Sequence, residues 1–168
     1  MSQRNSGYAR VPGEKYFTPP WVVECLVPHI PSTISEVFDP ACGEGAIIKA
    51  LSGLFATHGK DLDQGYDFLK DDERHQAINA NLPFDRAREF IEAALSRADF
   101  VAMLLCTDYA HARTHAHLFR EQPKFAKKVE LLKRIVWFER KGAAPSFNHS
   151  WFIWNSEHQG APVLAYAP

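Results

Sequence analysis

The most informative segment of the chain is Val37-Phe38-Asp39-Pro40-Ala41-Cys42-Gly43-Glu44-Gly45-Ala46. It opens with apolar, β-prone residues, breaks at Asp39-Pro40, and then turns through two glycines separated by one residue. Residues 47–54 resume with a helical pattern. Strand, glycine-rich turn and helix in this order present backbone N–H groups to a ligand at the carboxyl edge of a parallel sheet. The glycines permit positive φ and a close approach of the backbone to that ligand.

The whole chain has 168 residues, of which 46% are hydrophobic and 23% are charged. This length and composition predict one globular domain with a sizeable core and argue against wholesale disorder. No apolar run is long enough to cross a membrane, and the first residues lack the apolar core of a signal peptide. Cys25, Cys42 and Cys106 have no metal-type spacing and are interpreted as reduced core thiols. We therefore expect a cytoplasmic protein without a membrane partner.

Charge is distributed unevenly, although the net charge is only −1. Residues 120–141 hold eight Lys or Arg against three acids, whereas residues 61–73 hold six acids against Lys70. Each run is explained by a solvated surface, and the basic run is also a candidate surface for contacting phosphate groups.

The N-terminal part divides into a loose arm and the start of the domain. Residues 1–14 are polar, contain Gly and Pro, and have little periodicity, so we expect a flexible arm followed by a single domain over residues 15–168. In Tyr16-Phe17-Thr18-Pro19-Pro20, Thr18 is predicted to cap a helix, because threonine is a favoured N-cap residue. The prolines after it are compatible with the first helical turn. The helix is predicted over Trp21–Val27.

Strands and helices alternate through the middle of the chain. The pattern predicts strands at Glu36–Asp39, Phe55–Leu62, Gln76–Ala80 and Asp99–Cys106, and a helix at Asp85–Leu95. The last of these strands is a continuous apolar run, typical of a central strand that is covered on both faces. Alternation of this kind predicts an α/β fold with a doubly wound, mostly parallel sheet.

Two further strands are predicted near the C-terminus, at Lys128–Phe138 and His149–Asn155, and a loop over Gly142–Asn148 joins them. The second is the last strong strand of the chain. Trp151 and Trp154 are three residues apart in it, so they fall on opposite faces, and both can lie in the core.

Three histidines, His111, His115 and His117, invite a zinc interpretation. No cysteine or carboxylate cluster completes a ligand set with them. We therefore predict no metal site and expect this region to form a surface helix or loop.

Asp39-Pro40-Ala41-Cys42-Gly43-Glu44-Gly45 resembles motif I of class I S-adenosylmethionine (SAM) dependent methyltransferases. Residues 16–20 resemble motif X, and Asn81-Leu82-Pro83-Phe84 resembles motif IV, which usually reads Asn-Pro-Pro-Tyr or Asn-Pro-Pro-Phe. The order X, I, IV and the strand-rich tail are similar to small phage or prophage DNA adenine (amino) methyltransferases. The resemblance implies a Rossmann-like class I methyltransferase fold with a C-terminal antiparallel hairpin.

SAM is the cofactor that the resemblance implies. Gly43, Gly45 and Asp39 would hold its methionine end, with Phe17 and Thr18 alongside. The ribose would be bound by Asp61 or Asp63, of which Asp61 is favoured, because a carboxylate accepts hydrogen bonds from a vicinal diol. The adenine would be contacted by Asp67 and Phe68. The remaining candidates for cofactor binding are Tyr16, Pro40, Ala41 and Cys42.

Motif IV supplies the candidate catalytic residues Asn81, Leu82, Pro83 and Phe84. The exocyclic amine of a base is a poor nucleophile, because its lone pair is delocalised into the ring. The Asn81 side-chain oxygen and the Leu82 carbonyl can accept its two N–H bonds and aim the lone pair at the methyl group. Phe84 can stack on a flipped base. Leu82 replaces a proline, which removes a rigid φ and adds bulk in a planar slot.

Methylation of the adenine amino group in DNA is the function that the resemblance implies first. The same motif also serves methylation of RNA bases, of protein glutamine and of the cytosine amine, and a SAM-binding module without catalysis is a further alternative. Arg113 is the candidate phosphate contact that phage-type relatives suggest, and Lys133 and Arg134 in the basic run complete the candidate contacts to a DNA partner. No oligomeric state is assigned.

Overall fold

The computed structural model describes residues 17–82, 85–137 and 147–168. Within these ranges the α-helices are α1 (Pro20–Glu24), α2 (Ala46–Leu51) and α3 (Ala87–Arg97). The strands are β1 (Glu36–Asp39), β2 (Ala56–Gly59), β3 (His75–Asn81), β4 (Ala98–Cys106), β5 (Phe125–Leu131), β6 (His149–Asn155) and β7 (Val163–Ala167). Short 3-10 helices cover Val27–His29, Leu62–Gln64, Phe68–Lys70, Tyr109–His111 and Arg113–Leu118. The predicted arm, residues 1–14, lies outside the described ranges.

The strands form one seven-stranded sheet in the order β2-β1-β3-β4-β6-β5-β7. β2, β1, β3 and β4 are parallel, β6 is antiparallel to β4 and β5, and β7 is parallel to β5. Only β6 therefore runs against the others, and the predicted fold class is confirmed. From β1 the chain goes first to β2 on one side and then to β3 on the other. This reversal opens a crevice at the carboxyl ends of β1 and β3, where α/β sheets bind ligands.

Both faces of the sheet are covered, as the apolar run in β4 predicts. β4 is buried from Phe100 to Leu105, and α3 packs its apolar side on one face of the sheet, while α1 and α2 cover the other. Trp151 lies on the α1 and α2 side, and Trp154 lies on the α3 side. Their indole N–H groups donate to the carbonyl oxygens of Val22 at 2.8 Å and Leu118 at 2.6 Å. The prediction of two core tryptophans on opposite faces is confirmed.

The C-terminal part differs from its prediction in two respects. β5 ends at Leu131 instead of Phe138, and β6 begins at His149. Most of the predicted loop over Gly142–Asn148 lies outside the described residues. A further strand that was not predicted, β7, follows β6 in sequence and lies at the edge of the sheet beside β5. β7 escaped prediction because it is short and mostly exposed, and it lacks the apolar run that identifies a central strand.

The first helix also differs from its prediction. Its N-cap is Pro19, and no side chain caps it, so Thr18 does not have the predicted capping role. The α-helix ends at Glu24, well before the predicted end at Val27, and a 3-10 turn over Val27–His29 follows. Among the described residues, no helix combines the length and the apolar character that a membrane span requires.

Candidate functional site

The glycine turn connects the end of β1 to α2. Gly43 and Gly45 adopt positive φ of 52° and 79°, and Gly45 is the N-cap of α2. The turn packs tightly on the end of β2, where a Cβ atom on Gly59 would lie 2.8 Å from the Cβ of Cys42. The Cys42 N–H also donates to the Lys60 carbonyl oxygen at 3.1 Å. These contacts fix the turn at the carboxyl edge of the sheet.

Asp39 closes β1 at the base of this turn and is only 2% exposed. Its Oδ1 accepts a hydrogen bond from the Ala41 N–H at 3.0 Å. Burial raises the pKa of this carboxyl group to about 7; the Ala41 bond opposes the rise, and the nearby Asp61 charge adds to it. A cation placed beside Asp39 would offset the cost of its ionisation.

Asp61 is tied directly to the glycine turn. Its Oδ2 accepts from the Gly43 N–H at 2.8 Å, and its Oδ1 accepts from the Asp63 N–H at 3.1 Å. Asp63 itself is exposed. Of the two acidic candidates, the structure thus brings Asp61 to the turn.

Asp67 and Phe68 are neighbours in sequence but lie in different environments. Asp67 caps the 3-10 helix that follows it, and its pKa is lowered chiefly by the hydrogen bond from Lys70, whose Nζ lies 3.1 Å from its Oδ2. Phe68 is 1% exposed and belongs to the core on the α3 side. Its ring lies 5.5 Å from the ring of Phe90 and is covered by the Arg97 guanidinium at 4.8 Å.

Motif IV begins at the end of β3, where Asn81 contacts the motif X region. The Asn81 Nδ2 donates to the Thr18 Oγ1 at 3.2 Å, and Thr18 is only 3% exposed. This bond orients the amide so that its oxygen is on the side away from Thr18. Phe17 beside it is 48% exposed. Tyr16, Pro83 and Phe84 lie outside the described residues.

Leu82 packs its side chain in the core on the α3 side and is 3% exposed. The Leu82 side chain therefore does not add bulk to the planar slot as expected. Successive side chains of a strand point to opposite faces, so Leu82 lies on the face opposite to Asn81. The Leu82 carbonyl group belongs to the first residue after β3, directly beside Asn81.

The candidate nucleic-acid contacts are exposed, and they lie beyond the carboxyl ends of two strands of the sheet. Arg113 follows β4, and Lys133 and Arg134 follow β5, which runs in the same direction as β4. They are on different faces, however: Leu118 near Arg113 belongs to the α3-side core, whereas Ile135 near Arg134 belongs to the other core.

Two lysines of the basic run make their contacts within the fold. Lys124 donates to the Leu95 carbonyl oxygen at 3.2 Å, and Lys128 donates to the Thr107 carbonyl oxygen and pairs with Glu130, both at 2.8 Å. These two ammonium groups are thus used inside the fold.

Sequence reasoning missed a polar network at the carboxyl end of β4. The Glu130 carboxylate accepts hydrogen bonds from Lys128, from Ser150 at 2.6 Å and from Thr107. Next to it His149 is 2% exposed, and burial lowers its pKa. Polar residues directly after the apolar run of β4 were the available signal.

The three predicted surface histidines form no ligand cluster among the described residues. His115 stacks on Tyr109 with ring centroids 4.2 Å apart, and the His117 Nε2 lies 2.8 Å from the Glu92 Oε1. A different group comes together at the start of β3, where potential ligand atoms of Asp71, Glu73 and His75 all lie within 4.8 Å of one another.

No protein-family model and no curated protein sequence matches this chain. Solved structures do. A candidate RNA methyltransferase from Pyrococcus horikoshii superposes with a TM-score of 0.70 at 16% identity, over 90% of this chain and 92% of the other. The modification subunit of a candidate type I restriction enzyme from Vibrio vulnificus gives a TM-score of 0.62 at 16% identity, over 93% of this chain and 48% of the other.

A candidate class I SAM-dependent methyltransferase from Listeria monocytogenes gives a TM-score of 0.57 at 14% identity, over 88% of this chain and 62% of the other. The chain thus spans about half of the modification subunit and nearly all of the archaeal protein. The likeness shows that the chain has the Rossmann-like class I methyltransferase fold.

Proposed function

We propose that this protein binds SAM and transfers its methyl group to the exocyclic amino group of adenine in DNA. The observation that carries the proposal is the Asn81–Thr18 hydrogen bond at the carboxyl edge of β3, next to the glycine turn. It joins the motif X and motif IV regions, and it holds the Asn81 amide in one orientation beside the place where the sheet order reverses.

The turn residues fit a nucleoside cofactor with an amino acid tail. Gly43 and Gly45 bring the backbone close, Asp61 offers carboxylate oxygens for a ribose diol, and buried Asp39 offers a partner for an ammonium group. SAM supplies an electrophilic methyl group when it is bound. In this arrangement Asp67 would accept from the adenine amino group.

On the acceptor side, the Asn81 oxygen and the Leu82 carbonyl would accept the two N–H bonds of the target amine. No strong base is needed, because the gain comes from positioning and electrostatics. Pro83 and Phe84 would complete the slot, with Phe84 stacked on the base. Arg113, Lys133 and Arg134 would contact DNA phosphates.

Support for DNA comes from the likeness to a restriction-enzyme modification subunit, and from the fit of the motif to an exocyclic amine. RNA is the second candidate, because the candidate RNA methyltransferase matches this chain over 92% of its own length. The same site residues would serve both substrates. The two candidates are therefore distinguished by offering DNA and RNA in parallel in one methyl-transfer assay.

The test is methyl transfer from labelled SAM to unmethylated DNA and, in parallel, to unmethylated RNA. The product nucleosides are identified by mass spectrometry, and Asn81→Ala is the matched variant. We expect N6-methyladenine from DNA with the wild-type protein and a loss of at least about a hundredfold in rate with the variant, because a group that aligns the nucleophile is removed.

The variant must still bind SAM, which calorimetry checks. Product from RNA alone would replace the DNA proposal with the RNA one. SAM binding without methylation of either polymer would contradict both and favour a module that only binds the cofactor.

A further inference from the structure

Asn79 is a buried polar residue that the proposed reaction does not use. It lies inside β3 and is 0% exposed, and neither its Oδ1 nor its Nδ2 has a hydrogen-bond partner among the described residues. Buried amides are almost always paired, because an unpaired one costs folding free energy. An apolar residue would serve better in a core that had no further task at this position.

The side of the sheet on which Asn79 lies follows from the alternation of β3. Ile78 and Ala80 belong to the core on the α3 side, whereas Ala77 belongs to the core on the α1 and α2 side. Asn79 therefore faces the α1 and α2 side, together with Asn81 two residues further on.

The neighbours of Asn79 on this face are a carboxyl group and a small side chain. β1 and β3 pair Val37 with Ala77 and Phe38 with Ile78, so the next step places Asp39 beside Asn79. On the other side Asn79 pairs with Ala102, whose methyl group occupies little space. Asn79 and Asp39 thus form a pair of buried polar side chains just inside the level of the Asn81–Thr18 bond.

A carboxylate next to an amide oxygen is suited to one chemical class of ligand group. An ammonium group has three N–H donors and no acceptor, so it pairs with a carboxylate and uses neutral oxygens for its remaining donors. Asp39 alone already has one oxygen occupied by the Ala41 N–H. The Asn79 Oδ1 supplies the further acceptor.

We propose that Asn79 and Asp39 form the floor of the subsite for the aminoacyl end of the cofactor, in which the Asn79 Oδ1 accepts from its ammonium group, directly or through one water. The inference rests on the proposed binding of SAM and deepens it. It makes Asn79 a specificity-determining residue that favours ligands carrying an amino acid over those that lack one.

The test compares two ligands that differ in this part only. S-adenosylhomocysteine carries the aminoacyl end, whereas 5′-methylthioadenosine keeps the nucleoside and the sulfur without it. Both are titrated by calorimetry into the full chain and into Asn79→Leu. We expect the variant to lose about tenfold or more in affinity for S-adenosylhomocysteine, because a hydrogen bond to a charged group is removed. The affinity for 5′-methylthioadenosine stays within about twofold.

Two controls separate this role from a structural one. Ile78→Val lies on the same strand with its side chain on the opposite face, and it should leave the ratio of the two affinities unchanged. The unliganded Asn79→Leu protein should melt at or above the wild-type temperature, because the unpaired amide is gone. If leucine prevents folding, Asn79→Ala gives the same readout without added volume.

The outcomes distinguish the two proposals. If the wild-type protein binds both ligands and the affinity ratio survives in Asn79→Leu, Asn79 has no role in the subsite, and SAM binding stands. If the wild-type protein binds neither ligand, the proposed function fails, and the role of Asn79 fails with it.

Discussion

Two regions of the sheet are built on different principles. The turn half consists of β2, β1 and β3 with the glycine turn, and the turn itself is held by hydrogen bonds between backbone N–H groups and carboxylates, as at Gly43–Asp61 and Ala41–Asp39. The aromatic half consists of β4, β6, β5 and β7. It is packed around an aromatic cluster of Phe119, Phe125, Phe152 and Trp154. The centroids of the Phe119 and Phe125 rings lie between 5.1 and 6.4 Å from each other and from those of Phe152 and Trp154.

The candidate ligand site lies in the turn half. Two buried polar groups of the turn half oppose folding, because Asp39 has a raised pKa and Asn79 has an unpaired amide. Sites of this kind are retained where a ligand uses them, and the rest of the fold offsets their cost. The aromatic half buries large apolar side chains, and this burial offsets the cost of the buried polar groups.

The largest expected effect is on the aromatic cluster. Trp154→Ala should lower the free energy of unfolding by about 3–5 kcal/mol, because a fully buried indole and its bond to the Leu118 carbonyl are lost. Urea denaturation measures the change. Trp154→Phe keeps a ring in the cluster and should cost clearly less. A cost below about 1 kcal/mol for Trp154→Ala would show that the cluster does not stabilise the fold.

A second prediction concerns the pH dependence that Asp39 gives to the turn half. Its pKa is raised from 3.8 to about 7. Between these two pH values the folded state therefore keeps a proton on Asp39 that the unfolded state has released. The stability that this proton contributes is fully present below about pH 4 and is lost as the pH rises to about 7. Asp39→Asn, which keeps an oxygen for the Ala41 N–H, should match the wild type at about pH 4 and exceed it by a few kcal/mol at about pH 8.

Thermal unfolding across this pH range, run on both proteins, measures the difference curve. The comparison with the variant is necessary because His75 and His149 have pKa values lowered by burial, and they destabilise the fold as the pH falls. Those contributions cancel in the difference. A variant that follows the wild type at every pH would mean that Asp39 ionises as readily as it does in water.

The sequence predicted the turn half well, because its geometry is local. Asp39, Gly43 and Gly45 specify strand end, turn and helix start within a few residues, and the structure has these elements there. What it could not predict depends on partners that are distant in sequence. Thr18 was predicted to cap α1, yet its hydroxyl accepts from Asn81, which is 63 residues away. The burial of Asn79 beside Asp39 depends on the register of two strands.

In the aromatic half, the apolar run of β4 and the placement of both core tryptophans followed from periodicity. The end of β5 and the existence of β7 did not, because an edge strand is stabilised by its neighbour more than by its own pattern. The Glu130 network was hidden for the same reason, since its donors come from separate strands and from the residue after β4.

A third prediction tests the choice between the two acidic candidates of the turn half. Asp61→Ala removes the acceptor of the Gly43 N–H and a proposed partner of the ribose, so the affinity for SAM should fall about tenfold to a hundredfold. Asp63→Ala is the matched control, because this residue is exposed and contributes its backbone N–H to Asp61. Calorimetry with both variants gives the answer. A larger loss with Asp63→Ala would reverse the assignment.

The smallest effect is expected at the carboxyl edge of the aromatic half, where exposed cations follow β4 and β5. Arg113→Ala should weaken DNA binding a few-fold and reduce the slope of log affinity against log salt by about one, because one proposed phosphate contact is removed. Arg74→Ala is the matched control, since Arg74 pairs with Asp99 near the opposite edge of the sheet, at 3.4 Å. Fluorescence anisotropy with a labelled duplex at several salt concentrations measures both slopes. Equal changes in the two variants would mean that DNA binds non-specifically to surface cations. That result would contradict the proposal that DNA binds at the carboxyl edge.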